Sequence, residues 1–189
     1  MKEFFELIDR MNDAAGGERA ELERRLAANY QCHNAVLALD MSGFSLSVRR
    51  SGIVSYLCCI RRMQQAMQPL LPEFRGELVK FEADNLLAVF DEPRMAVAAA
   101  RAMVRAAREI PLGVAIGVDY GPILLVPGQD CFGDAVNIAY KLGEDVAREG
   151  EVLITRAMGE RLPRGEPFEA LELSIAGVQI AAFRVLPQA

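Results

Sequence analysis

A chain of 189 residues, 52% hydrophobic and 25% charged, is long enough to bury one core and short for two, so one globular unit is expected. Twenty-six acidic residues against 21 basic ones give a net charge of -5, which excludes a general nucleic-acid binder, because phosphate affinity needs clustered positive charge. No apolar run approaches the roughly 18–20 residues of a bilayer span, and the opening MKEFFELIDRMND mixes acids among its apolar residues unlike a signal peptide, so no membrane partner and a cytoplasmic location are expected.

The first element expected is a short amphipathic helix over 2–12, with Phe4, Phe5, Ile8 and Met11 on one face, interrupted by Gly16-Gly17. Leu22, Leu26 and Tyr30, four apart, predict a second helix over 18–30. Residues 1–33 therefore read as a helical extension ahead of a domain over 34–189. An almost unbroken apolar run over 35–40 predicts a buried strand that ends on Asp40, with a turn at Ser42-Gly43. Ile53, Leu57, Ile60, Met67 and Leu71 then follow a helical period up to Pro72. Residues 77–89 read as two strands around a tight turn at Ala83-Asp84-Asn85.

Pro93 suits the first turn of an alanine-rich helix reaching residue 110. Two strand-like runs follow, 112–118 and 122–126, then a turn at Pro127-Gly128 and a helix over 133–148. A short strand over 152–154 precedes Thr155, a capping residue, and 168–185 reads as a terminal hairpin turning at Ala176-Gly177. Strand, helix, two strands, helix, strand is the order of an α+β, ferredoxin-like (split βαβ) sandwich, here with an N-terminal helical extension and an added helix and hairpin.

Little of the usual catalytic equipment is present. Cys32, Cys58, Cys59 and Cys131 form no CxxC pair, and His33 is the sole histidine, which leaves no Cys/His metal cage and no histidine-based triad. Chemistry must run on carboxylates, amides and cations. Eighteen of the 21 basic residues are arginine, so Lys2, Lys80 and Lys141 go against the compositional bias. Asp40 and Asp84 end strands that one sheet would hold side by side. By themselves they are either two strand-end acids facing water or a pair whose repulsion is relieved by a hard divalent cation such as magnesium or manganese.

Four segments in order resemble the class III nucleotide cyclases, the adenylyl and guanylyl cyclase homology domain. Asp40-Met41-Ser42-Gly43-Phe44-Ser45 resembles D-[IV]-x-G-F-[TS], and the run from Lys80 through Asp84 to Phe90 resembles K-T-I-G-D-x-x-M-A-V-F. Gly117-Val118-Asp119-Tyr120-Gly121-Pro122 is similar to G-I-H-T-G-P, and the run from Phe132 through Asp134 and Asn137 to Lys141 is similar to W-G-D-x-V-N-x-A-x-R.

The resemblance implies an adenylyl cyclase that converts ATP to 3′,5′-cyclic AMP and pyrophosphate in a homodimer with interfacial sites. It implies that Asp40, Asp84 and the carbonyl of Met41 hold two Mg²⁺ or Mn²⁺, with Phe44 and Ser45 beside the substrate. Lys80 and Asp130, from the partner subunit, fall at the positions that read the base: a lysine donates to N1 of adenine and a carboxylate accepts from its amino group, whereas guanine has the opposite polarity. Asn137 falls where the family orients the ribose, and Lys141 where it carries an arginine that steadies the transition state. Two alternatives are a weakly catalytic cyclase-homology module that regulates or binds nucleotide, and a cyclase for GTP or a pyrimidine nucleotide. Departures from the family pattern are Ala83 for the turn glycine, Asp119 for the common histidine, Glu82 near the acids, a short 122–132 hairpin and no lysine near Ala176.

Overall fold

The computed structural model describes residues 1–42, 44–109, 113–175 and 178–186, and their side chains except those of 42, 44–51, 174–175 and 178–179. Helices α1 (Lys2–Asp13) and α2 (Gly16–Tyr30) come first. On α1 the covered row is Phe4, Leu7, Ile8 and Met11, and Phe5 is exposed, contrary to the expected face, because neighbours on a helix surface lie three and four apart.

Strand β1 (Gln31–Ser42) runs beyond 35–40 at both ends. Its polar start, with Cys32 and His33, stays extended because β1 pairs with β4 (Gly113–Val126) from Gln31 opposite Leu124 to Ser42 opposite Gly113. Buried Asn34 donates to Asp91 at 2.9 Å, which satisfies an amide that periodicity alone would leave stranded.

Helix α3 (Phe44–Met67) is kinked at Gly52, whose φ of 79° and ψ of 164° only glycine adopts readily. Its buried face is Tyr56, Ile60, Met63 and Met67; Ile53 and Leu57, expected inside, are 60% and 55% exposed. The single helix expected up to Pro72 is two, because Pro69 offers no N–H to continue the ladder and α4 (Leu70–Glu73) starts after it. Strands β2 (Gly76–Glu82) and β3 (Asn85–Phe90) form the expected hairpin, with a bulge between Leu78 and Lys80. Helix α5 (Pro93–Arg108) has its proline in the first turn, as expected.

The two runs 112–118 and 122–126 are one strand, β4. Pro122 is tolerated within it because β6 (Val152–Thr155) pairs along β4 only at 116–118 and β5 (Asp130–Phe132) only at 124–126, leaving one side of β4 unpaired between them. The helix expected over 133–148 is α6 (Asp134–Tyr140) continued by a π-helical turn over Lys141–Val146. Thr155 caps α7 (Arg156–Gly159) by accepting from the Met158 amide at 3.2 Å, and β7 (Phe168–Ile175) pairs with β8 (Val178–Val185) as the terminal hairpin.

The strands lie in the order β2-β3-β1-β4-β6-β8-β7, with β5 beside β4. The first four show the antiparallel split-βαβ order, so the expected fold class is the observed one. Leu37, Leu39, Leu86, Ala88 and Phe90 face α3 and α5, while Val36, Ala38, Leu87 and Val89 face α6. Both faces of the central strands are covered, which accounts for their unbroken apolar runs.

Candidate active site

Alternation along β1 puts Asp40 on the α6 side, with Val36 and Ala38. Leu39 opposite Leu86 is the end of the β1–β3 register, so Asp40 and the β2–β3 turn emerge together from the sheet. In that turn Ala83 holds a φ of 50°, a conformation for which the family pattern has glycine. Burial, then the charges of Asp84 and Glu144, push the Asp40 carboxyl up to about 6 against a hydrogen bond from the Met41 amide. The Met41 side chain is buried in the core, so the side chain itself offers no ligand at this corner.

Two further residues shape this corner, and the sequence reading missed both. The Tyr56 hydroxyl faces Asp84, and burial followed by the Asp84 charge raises its phenol above the ordinary range. Glu144, in the π turn, accepts from the Asn85 side chain at 3.0 Å; burial, then Asp145, raise its carboxyl. The signal for Tyr56 was its place in the row Tyr56, Ile60, Met63, Met67, with a polar group on an otherwise apolar face.

Asp40 and Asp84 are hard oxygen donors held together against their own repulsion, an arrangement that fits Mg²⁺ or Mn²⁺. Among the described residues no three His, Cys, Asp or Glu side chains gather closely enough to hold a metal by themselves. Phosphate oxygens would have to complete such a site.

Lys80 and Asp130, fifty residues apart, are paired. The ammonium of Lys80 lies 3.2 Å from Asp130 and 3.0 Å from Glu82. Burial opposes its charge, but hydrogen bonds to Glu82 and Asp130 outweigh it and push Lys80 up to about 12. The β2 bulge just before Lys80 re-aims the strand, as bulges beside functional sites do. Asp130 also accepts from the Cys131 amide at 2.9 Å.

Asn137 is exposed on α6 and Lys141 half-buried at the start of the π turn. Among the described residues no hydrogen bond or ion pair joins either to Asp40 or Asp84. A side chain at Gly117 would fall 2.1 Å from the Ala139 carbonyl, so α6 packs on β4 at a distance only glycine permits. The side chains of Phe44 and Ser45, and the turn at Ala176-Gly177, lie outside the described residues.

Asp119 is a structural acid. It is buried on β4, accepts from Thr155 and from the Tyr120 amide, and burial raises its carboxyl. Arg184 on β8 is held by Glu151 at 2.9 Å and by Glu169, so its charge is engaged away from the acids.

No protein-family model matches the chain. It is 30% identical over 150 residues, 75% of its length, to "Putative adenylate cyclase 3" of Rhizobium meliloti (strain 1021), and spans 24% of that relative. The adenylate/guanylate cyclase/hydrolase of Silicibacter pomeroyi superposes with a TM-score of 0.67 at 26% identity, over 84% of this chain and 99% of that one. The chain belongs to the class III nucleotide cyclase family. A rhodopsin–guanylyl cyclase catalytic core with converted specificity, in complex with ATPαS, shares the cyclase fold at a TM-score of 0.75 and 17% identity, over 83% of this chain and 96% of that one. The paired acids and the Lys80–Asp130 pair thus lie in a cyclase domain of adenylyl/guanylyl type.

Proposed function

We propose that this cyclase domain converts ATP to 3′,5′-cyclic AMP and pyrophosphate as a homodimer. The observation that carries the reading is the Lys80–Asp130 pair, a donor and an acceptor 3.2 Å apart, the polarity that adenine needs and guanine opposes. Lys80 donates to adenine N1 while Asp130 accepts from the exocyclic amine. Asn137 orients the ribose, and Lys141 offsets charge that develops on the α-phosphate as the 3′-oxygen attacks.

Asp40, Asp84 and the Met41 carbonyl would hold two Mg²⁺ or Mn²⁺, which when bound supply Lewis acidity at the phosphates and lower the pKa of the 3′-hydroxyl. Tyr56, on α3, faces Asp84 from the side of the core. Phe44 and Ser45 are assigned to the substrate by their motif positions.

Two features support assembly of the site from two copies. Among the described residues no hydrogen bond or ion pair joins Asn137 or Lys141 to the acids of their own chain, and Ile53, Val54 and Leu57 expose an apolar strip on α3, the helix that carries Tyr56. Incubating the chain with each of the four nucleoside triphosphates and Mn²⁺, and resolving cyclic products by mass, tests the reading. Cyclic AMP as the main product is the expected result; cyclic GMP or a cyclic pyrimidine nucleotide would reassign the base, and nucleotide binding without turnover would leave a regulatory module.

A further inference from the structure

The two N-terminal helices reach the strand of Asp130 through a stack of aromatic rings. Phe4 on α1 is buried and lies parallel to Phe132, with centroids 5.3 Å apart and planes 9° apart. Tyr30 at the end of α2 packs edge-on against Phe4 at 5.1 Å. Phe132 closes β5, the strand that begins with Asp130.

A three-residue strand has little hold of its own. β5 pairs only with β4; within it Asp130 and Phe132 share one face, and Cys131, on the other, is buried against Val36 and Val79. On the Phe132 face a pocket of about 410 Å³ separates part of α2 from the hairpin, so the packing there is incomplete. Phe4 is the closest ring filling that face, and Leu124 and Val126 of the hairpin join Phe4, Leu7, Leu22 and Leu26 in one cluster.

We propose that Phe4 is a positioning residue for Asp130: stacked on Phe132, it fixes β5 and with it the acceptor half of the base-reading pair. The consequence for selectivity rests on the base-reading role proposed above for Asp130. The helical extension then sets how sharply the site tells adenine from guanine, and displacement of α1 would blunt that choice without touching the paired acids.

The test compares Phe4→Leu, which keeps an apolar side chain but removes the stack, with Phe4→Tyr, which keeps the ring, in the full chain. Leu22→Ala, in the same cluster but without a ring, controls for lost stability alone. Hydrogen exchange should show protection at 130–132 falling by about tenfold in Phe4→Leu, with 35–39 unchanged and with Phe4→Tyr and Leu22→Ala close to the parent. The ratio of kcat/KM for ATP over GTP should fall in Phe4→Leu alone. Unchanged protection at 130–132 overturns the proposal, as does an unchanged ratio despite loosened β5, or an equal loss in Leu22→Ala. Should the parent turn over no nucleotide, the cyclase reading fails by itself and the exchange measurement alone decides whether Phe4 holds β5.

Discussion

Gly117 on β4 and Gly143 in the π-helical turn lie backbone against backbone: a Cβ on Gly117 would stand 2.6 Å from the Gly143 nitrogen, and one on Gly143 would stand 3.0 Å from the Ala38 carbonyl. This close approach seats the helix of Asn137 and Lys141 on β4 and on β1, the strand that carries Asp40. Gly117→Ala must push that helix outward, because the atoms it meets are main chain. The expected cost is ~1–3 kcal/mol of stability, seen as a lower melting temperature, with a loss of turnover larger than the unfolded fraction explains. A melting temperature equal to the parent's would contradict the packing.

Asp40 predicts a pH-dependent stability. Its folded carboxyl is raised to about 6, so the fold favours the protonated acid. The contribution is fully present below the ordinary carboxylate value near 4, and is lost as pH rises through about 6. In EDTA, Asp40→Asn should therefore melt above the parent at pH 7.5 and no higher than the parent at pH 4. Mn²⁺ should raise the melting temperature of the parent at pH 7.5 and leave Asp40→Asn unmoved; an equal Mn²⁺ response in both would remove Asp40 from the metal ligands.

Lys80 is held by Glu82 as well as Asp130, so in its proposed role a base would compete for a donor already engaged. Glu82→Gln should lower the KM for ATP with little change in kcat, since Glu82 is itself exposed and is neither of the two residues proposed to read the base. Lys80→Glu should cut kcat/KM for ATP by about tenfold or more, the range expected for a buried polar contact left unpaired. Steady-state kinetics with ATP and GTP check both, and a Lys80→Glu enzyme with the parent's base preference would exclude Lys80 from recognition.

Asn137 belongs to a different half-site from Asp40 under the dimer reading. Mixing inactive Asp40→Ala with inactive Asn137→Ala chains should restore activity, because one of the two sites in the mixed dimer has both halves intact. Mixed dimers shown to form yet lacking turnover would place the whole site in one chain.

Lys141 begins the π turn, where a straight α-helix would aim this position differently. Lys141→Ala should lower kcat by about 10²-fold with a smaller effect on KM, through loss of charge stabilisation in the transition state. Lys141→Arg should also lose activity if the π turn fits the compact ammonium, and gain it if the site lacks only a guanidinium fork. Single-turnover assays with both variants distinguish these outcomes, and parental rates in both would show that Lys141 is a solvated cation.

Most of the fold was legible because its signals are local. The apolar run ending on Asp40, the turn at Ala83-Asp84, the proline opening α5 and the cap at Thr155 each follow from residues within a few positions of one another. The resemblance placed Lys80 and Asp130 each at a base-reading position, but their pairing with each other came only from the structure, since nothing local links residues fifty apart.

What the sequence by itself determined is the order of the elements, the split-βαβ core and the acids and amides of the cyclase motifs, because periodicity and turn chemistry act over a few residues. Which face of α3 is buried, that β4 runs unbroken through Pro122, that the helix after Asp134 widens into a π turn and that Glu144 and Tyr56 join the acids were decided by the tertiary structure. The physical reason is the same for each: exposure, strand continuity and helix register depend on which distant segment covers the residue, and several coverings satisfy the same local pattern. So too for the N-terminal helices, whose own periodicity shows an apolar face but not that Phe132 is what lies beneath it.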